Sequence, residues 1–520
     1  MHGLFINRTI LLFILSFLTD ICASYEILVI FPEPTKSHGI LGDGYVRNLL
    51  DANHKVTYIT PFPWKEPPSN LTQIDISSNL ATSGEYFQNL TVEYPNNYDF
   101  LQMLSYTMGR LVVTHPAVQA FLRKPDVRFD VVVAEWIDSE MYSSFAGYFS
   151  APLIWSVSTQ LYWQPIRLMD EVPNPSYSAD VNSGYLPPLT FIQRLKELNV
   201  QIRKLWILRH KIHPLELEIY DTIFKSAAMM TGRDLLPYTE IPNNYSMMLV
   251  NTHPSVATPW RLPPSVKEIA GYHIKLPVED LDVDLQSIMD ASPQGVIYFS
   301  FGTTNSAKNM EGGIRKEILE LFRSLNQTVL WKLDLRLENL PKNVHLLQWA
   351  PQISILNHPN TKVFITHGGL LSLIEAIHFG VPMITIPHAG DQYSNAAAAV
   401  KKQIAIKLEN GPGLASELRD ALRMMLTDWK YRDNMKRVSR TYHHRPVSPG
   451  KELVHWVEHV VITRGATYLR SPALLVPSYQ KAYLDLAALI LFVIIVIVLI
   501  LYFSIRWCLR RIRQKCNCKH

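Results

Sequence analysis

The sequence predicts an α/β fold: two domains, each built on a parallel sheet, followed by one membrane-crossing helix. Three observations carry this. Short β-branched runs that end in a turn and lead into an apolar-periodic helix occur in both halves, as at Tyr25–Phe31 and Lys362–Thr366. The length, 520 residues, exceeds what a single core organises. Leu486–Ile505 is twenty residues without a charge, long enough to cross a bilayer as one helix.

Residues 1–24 place Arg8 ahead of an apolar run, Ile10–Leu18, that is too short to span a bilayer, and end in small residues around Ser24. This is the pattern of a secretory leader. Residues 25–275 form the first predicted domain. Its strand Tyr25–Phe31 is followed by the loop Glu33–Gly39, a helix from about Ile40 to Ala52 and a strand at Val56–Thr60, a βαβ opening that leaves His38 in a loop at the carboxyl edge of the first strand. Phe129–Ala134 enters the same sheet and is capped by Glu135. Residues 60–125 and 160–245, with amphipathic stretches such as Phe191–His213, read as the walls of a ligand pocket. Their aromatic and Met content suits a lipophilic ligand and would serve equally as ordinary core. Glycosylation sequons stand at Asn70, Asn89, Asn244 and Asn326. An interdomain linker is placed where Lys275-Leu276-Pro277 gives way to the acidic run Glu279 to Asp284.

The second domain, residues 285–470, opens with the strand Val296–Phe301 and the turn Gly302-Thr303-Thr304, followed by a strand at Val329–Lys332. Its centre is Trp349 to Asn395. There Lys362–Thr366 is a strand that ends at His367-Gly368-Gly369, and an apolar helix, Leu370–Phe379, follows at once. Two glycines let the backbone approach a bulky anion, and the free N–H groups and positive dipole end of the next helix point at it. Gly380 ends the helix, and the strand Val381–Pro387 delivers Asp391-Gln392 beyond its carboxyl end, the edge where open α/β sheets bind ligands. Ala415–Asp428 and Asp433–Tyr442 read as helices, and the segment to Leu469 packs back across the first domain.

Composition excludes some functions. The chain carries 50 basic and 45 acidic residues, but six of the basic ones lie in the tail 506–520, and without them the body has 44 against 45. Nucleic-acid binding through a charged face is therefore excluded. The cysteines are Cys22 in the leader and Cys508, Cys516 and Cys518 after the apolar run, so the body folds without disulfides. No His/Cys cluster has metal-ligand spacing, and no metal or other cofactor is called for. The basic residues after Ile505 belong on the cytoplasmic side, which makes the body lumenal and the chain single-pass type I.

The ordered set Trp349, Pro351-Gln352, His367-Gly368-Gly369, Ser372, Glu375, Gly380-Val381-Pro382 and Asp391-Gln392 resembles the signature of the UDP-glycosyltransferases, and the likeness runs from leader to anchor. It implies two Rossmann-like domains facing across a cleft, the glycosyltransferase B type, with acceptor and base on the first and a UDP-sugar on the second. By position in the motif, Trp349 would stack on uracil and Gln352 would reach the uridine. Glu375 would accept from the ribose hydroxyls, His367, Ser372 and Thr303 would hold the diphosphate, and Asp391-Gln392 would bind the sugar hydroxyls. These residue types suit those tasks: a carboxylate for a diol, an acid plus an amide for a polyol, an aromatic face for a flat base. The resemblance makes His38 the catalytic base and Glu135 the carboxylate that orients it.

Two positions depart from the common pattern. Leu371 stands where plant and vertebrate members usually carry Asn, and Glu135 where Asp is frequent, both as in many invertebrate members. The expected reaction is inverting transfer of a hexose, with glucose favoured over glucuronate, to a hydroxyl of a small lipophilic acceptor, as in detoxification. His388 or Arg261 could supply the cation that a glucuronate would need. The resemblance also implies residence in the endoplasmic reticulum membrane and leaves a homo-oligomer open. Rival readings are a membrane-lipid acceptor and a binding protein that captures lipophiles without turnover.

Overall fold

The computed structural model describes residues 24–84, 98–169, 174–302, 312–335 and 337–517. The leader through residue 23, the sequon at Asn89 and Thr303 lie outside the described residues.

The first sheet has seven parallel strands: β1 (Glu26–Ile30), β2 (Lys55–Thr60), β3 (Leu71–Asp75), β4 (Val131–Trp136), β5 (Leu153–Val157), β6 (Met247–Val250) and β7 (Val266–Glu268). They run in the order β3-β2-β1-β4-β5-β6-β7. The second has six parallel strands: β8 (Val296–Ser300), β9 (Thr328–Lys332), β10 (Val344–Leu347), β11 (Thr361–Thr366), β12 (Met383–Thr385) and β13 (Ala405–Lys407), in the order β10-β9-β8-β11-β12-β13. Central strands such as β4 and β8 are buried along their whole length, which is why they read as unbroken apolar runs. In each sheet the winding reverses at one place, between β1 and β4 and between β8 and β11. A ligand crevice opens at such a reversal, beyond the carboxyl ends of the strands.

Six helices matter below: α1 (Lys36–Asp51), α2 (Phe191–Ile207), α3 (Leu370–Phe379), α4 (Gln392–Lys401), α5 (Pro449–Ile462) and α6 (Leu484–Asn517). Helix α1 starts four residues earlier than the sequence suggests, because Thr35, in an extended conformation, acts as its N-cap residue and Gly39 is buried inside the first turn instead of forming a loop. His38 is therefore a helical residue. Glu135 likewise belongs to β4 itself, paired with Ser156 of β5, and does not follow the strand. Asp282, in the acidic stretch read as linker, caps the helix Val283–Asp290 by accepting from the Leu285 N–H at 2.8 Å.

The chain packs back as expected. Leu453, Val457 and Val460 of α5 are buried in the core under α1, with Tyr45, Val46 and Leu49. Phe191–Ile207 is helical, but apart from the buried Ile207 its large apolar side chains are exposed, while Glu197, Gln201 and Lys204 are buried. Leu484–Gln514 is long and apolar enough to cross a membrane, and its helix runs on through the basic tail to Asn517.

Candidate active site

The two winding reversals face each other, and between them lies a cleft of about 530 Å³ lined by both domains. His38, Trp349, Gln352, His367, Gly369, Ser372, Glu375, Asp391 and Gln392 all line it.

On the first domain, the first turn of α1 brings His38 over β4. His38 Nδ1 lies 2.6 Å from Glu135 Oε1, and Glu135 is fully buried. Ser158 Oγ donates to the same carboxylate oxygen. Burial opposes a charge on the imidazole, but the charge of Glu135 and its hydrogen bond outweigh burial and raise His38 to about 9. Since Nδ1 is engaged, Nε2 is the nitrogen left to meet a substrate hydroxyl. A second carboxyl, Glu33 in the segment between β1 and α1, is buried nearby, and burial pushes it up to about 7.

On the second domain, β11 ends at Thr366, just before His367, and α3 begins at Leu370 with Gly369 in the N-cap position and no side chain capping it. The first N–H groups of α3 are thus left for an anion. The imidazole of His367 is packed between two glycines. A Cβ on Gly302 would stand 2.6 Å from His367 Cε1, and one on Gly369 would stand 2.5 Å from Nε2. Burial, with the nearby His388 and Lys332 charges, lowers His367 to about 3, so it presents a neutral ring to whatever enters. The cation beside it is Lys332, at the end of β9. It donates to the Gly302 carbonyl and stands 5.1 Å from the ring centroid of Trp349. Trp349 itself is 58% exposed, presenting a large flat face at the cleft.

Glu375, on the buried side of α3, is the hub of a hydrogen-bond network. Gln352 Nε2 donates to Glu375 Oε2 at 2.6 Å and to Ser372 Oγ at 3.2 Å, while Gln352 Oε1 accepts from the Tyr298 hydroxyl at 3.2 Å. From the other domain, His273 Nε2 reaches Glu375 Oε1 at 3.2 Å. A carboxylate has roughly four lone-pair sites, so two remain for an incoming diol. Asp391 precedes α4 and accepts from Asn395 Nδ2 at 2.9 Å, and burial raises its pKa. Gln392 Oε1 accepts from the N–H groups of His388 and Ala389, at 2.7 and 3.1 Å, so only its NH2 is left for the cleft.

The structure brings all the sequence-derived site residues into one place except Thr303, which is not described; Glu135 and Gly368 lie just behind the lining. Sequence reasoning missed His273, Ser158, Lys332 and Tyr298. His273 sits 102 residues before its partner, and no local pattern marks it. Lys332, at the carboxyl end of a strand, carried a positional signal that could have found it.

A sequence profile of the UDP-glucuronosyl and UDP-glucosyl transferase family matches residues 54–519. UDP-glucosyltransferase 2 of Dactylopius coccus is 31% identical over 489 residues, covering 93% of this chain and 93% of that protein. UDP-glucuronosyltransferase 2B15 of Homo sapiens is 27% identical, over 76% of this chain and 73% of its own. Among solved structures, the glycotransferase of kitacinnamycin superposes with a TM-score of 0.56 at 16% identity, covering 85% of this chain and all of that one. A UDP-glucosyltransferase from Polygonum tinctorium gives 0.54 at 15%, over 84% and 99%. These structural likenesses establish the two-domain glycosyltransferase B fold, and the family match over most of the chain establishes the rest: the chain belongs to the UDP-glucuronosyl and UDP-glucosyl transferase family and is a UDP-glycosyltransferase.

Proposed function

We propose that the enzyme transfers glucose from UDP-glucose, with inversion, to a hydroxyl of a small lipophilic acceptor, with His38 as general base. The observation that carries this is the 2.6 Å pair of His38 with the buried Glu135, placed across the cleft from Asp391. His38 Nε2 takes the acceptor proton as the acceptor oxygen attacks the anomeric carbon, and the bond from that carbon to the diphosphate breaks with its electron pair leaving on UDP. Glu135 stabilises the imidazolium that forms. The start of α3, the ring of His367, the Ser372 hydroxyl and the Lys332 ammonium meet the charge on the leaving diphosphate, so this route uses no metal ion. Trp349 offers uracil a stacking face, Glu375 offers the ribose its free lone pairs, and Asp391 with the Gln392 amide binds the sugar.

Glucose is favoured over glucuronate because a uronate carboxylate wants a cation. Of the two candidates, burial lowers His388 to about 4, which leaves it neutral, and Arg261 is not among the residues lining the cleft. The name of the Dactylopius coccus relative points the same way. The body lies in the lumen of the endoplasmic reticulum, held by α6 with its basic end in the cytoplasm, where conjugation of membrane-partitioned alcohols or phenols serves detoxification. The test is to supply microsomes carrying the protein with UDP-glucose or UDP-glucuronate and a panel of phenols. A hexoside mass supports the reading, and a hexuronide mass or no conjugate overturns it.

A further inference from the structure

The segment after β5 that carries Ser158, the donor to Glu135, also reaches across to the second domain two residues later. Gln160 Nε2 donates to Asn395 Oδ1 at 2.6 Å, and Asn395 Nδ2 donates both to Asp391 Oδ2 at 2.9 Å and to the Gly368 carbonyl at 3.0 Å. Asn395 stands in the first turn of α4 and is 1% exposed. Its neighbours fix which way its amide points. A carbonyl and an ionised carboxylate can only accept, so they claim both N–H bonds of Asn395, and its oxygen is left to face Gln160, which must then give its own NH2. Turning either amide over would set acceptor against acceptor in a buried place, where an unmet polar group is costly.

The first domain also holds α4 elsewhere along its length. Ser394 Oγ donates to the Val181 carbonyl at 2.8 Å and Lys401 Nζ to the Pro187 carbonyl at 3.2 Å, and a Cβ on Gly184 would stand 3.3 Å from Tyr393 Cβ. These contacts place the helix, whereas the link from Gln160 continues through a side chain to the carboxylate that faces the sugar. We infer that Gln160 is a positioning residue for the donor sugar: by holding Asn395 in one orientation it aims Asp391 at the hexose, so the acceptor-binding domain takes part in recognising the sugar. Asp391 Oδ2 is tied down by Asn395, which leaves Oδ1 with a set direction for a sugar hydroxyl. Without Gln160 the amide of Asn395 is free to turn, and the carboxylate loses that direction. Because Ser158 supports the partner of the base and Gln160 the grip on the sugar, one short segment keeps the base and the anomeric carbon in register.

This inference rests on Asp391 binding the sugar, and the experiment separates the two. UDP and UDP-glucose are titrated by calorimetry into the full-length protein in detergent, for the parent, Gln160→Ala, Gln160→Glu and Asp391→Ala. Gln160→Ala, which trims a half-buried side chain, should weaken UDP-glucose about three- to tenfold and leave UDP and the acceptor KM unchanged. Gln160→Glu keeps the size of the side chain but sets an acceptor against the Asn395 oxygen, so it should weaken UDP-glucose more than Gln160→Ala does. A residue that only filled space or held the domains together would give the reverse order, or an equal loss for UDP and UDP-glucose, and either result overturns the inference. So does an unchanged affinity for UDP-glucose in both Gln160 variants while Asp391→Ala weakens UDP-glucose alone, an outcome that leaves the sugar assignment standing. If Asp391→Ala weakens UDP and UDP-glucose equally, that assignment falls and the role of Gln160 falls with it.

Discussion

His273 Nε2 lies 3.2 Å from Glu375 Oε1, with the histidine side chain fully enclosed, so a residue from the end of the first domain holds the carboxylate at the centre of the second. The backbone there is tied to the helix that carries His38. Arg47 donates to the His273 carbonyl at 2.8 Å and Asn48 to the Tyr272 carbonyl at 3.0 Å. Gly44 packs so closely that a Cβ would stand 2.9 Å from His273 Cα. A hydrogen bond to a charged group contributes about 1.5–3 kcal/mol. His273→Ala should therefore raise the KM for the UDP-sugar about 10- to 100-fold and leave the acceptor KM nearly unchanged. It should also narrow the preference for UDP over 2′-deoxy-UDP in calorimetry. An undiminished preference would show that His273 only supports the fold.

His38→Ala removes the base and should lower transfer by about 10²- to 10⁴-fold while UDP binding, read by calorimetry, stays intact. Equal turnover in that variant would remove the assignment.

The His38–Glu135 pair also predicts a pH dependence. Because the imidazole is raised to about 9 and only its neutral form accepts a proton, kcat/KM should climb with pH and level off near 9. Glu135→Gln removes the charge that raises it, so the limb should move down toward 6.5, the ordinary imidazole value, with a lower plateau. The same shift stabilises the folded protein fully below 6.5, and that contribution fades as pH rises through about 9. A profile that does not move in Glu135→Gln would uncouple the two residues.

The glycines around His367 should separate binding from stability. Gly302→Ala and Gly369→Ala both push a Cβ into the imidazole and should weaken UDP binding at least tenfold. Gly302 also has φ +75, where a side chain costs about 1 kcal/mol or more, so Gly302→Ala should lower Tm further than Gly369→Ala. Thermal melts alongside UDP titrations check both. Equal melting temperatures would mean that backbone strain at Gly302 is relieved elsewhere.

Asp391→Ala should raise the KM for the UDP-sugar far more than that for the acceptor. The opposite pattern in steady-state kinetics would mean that the roles of the two domains are reversed.

Much of this site could be read directly from the sequence because one stretch, from the end of β10 to the start of α4, supplies most of the second domain's share, so that Trp349 to Gln392 form a local pattern. The residues that could not be read are those whose partners are far away in sequence. Nothing near His273 hints at Glu375, and nothing near Ser158 hints at Glu135. His38 was placed correctly at the edge of β1 but given to a loop, since Gly39 ordinarily marks a break and its burial inside a first turn is a tertiary effect. The outward face of α2 had the right period and the wrong destination, because periodicity tells that one side differs from the other and not which side meets the protein.

Helix α5 closes the chain's path by returning to the core beneath α1, where Leu453, Val457 and Val460 are completely covered, and His54 Nε2 meets Glu458 at 3.1 Å. Anyone splicing halves of two such transferases at one junction near residue 280 would strand this returning piece on a foreign host. A workable hybrid needs two seams, the second near residue 446, so that the last stretch of polypeptide travels with the half it completes.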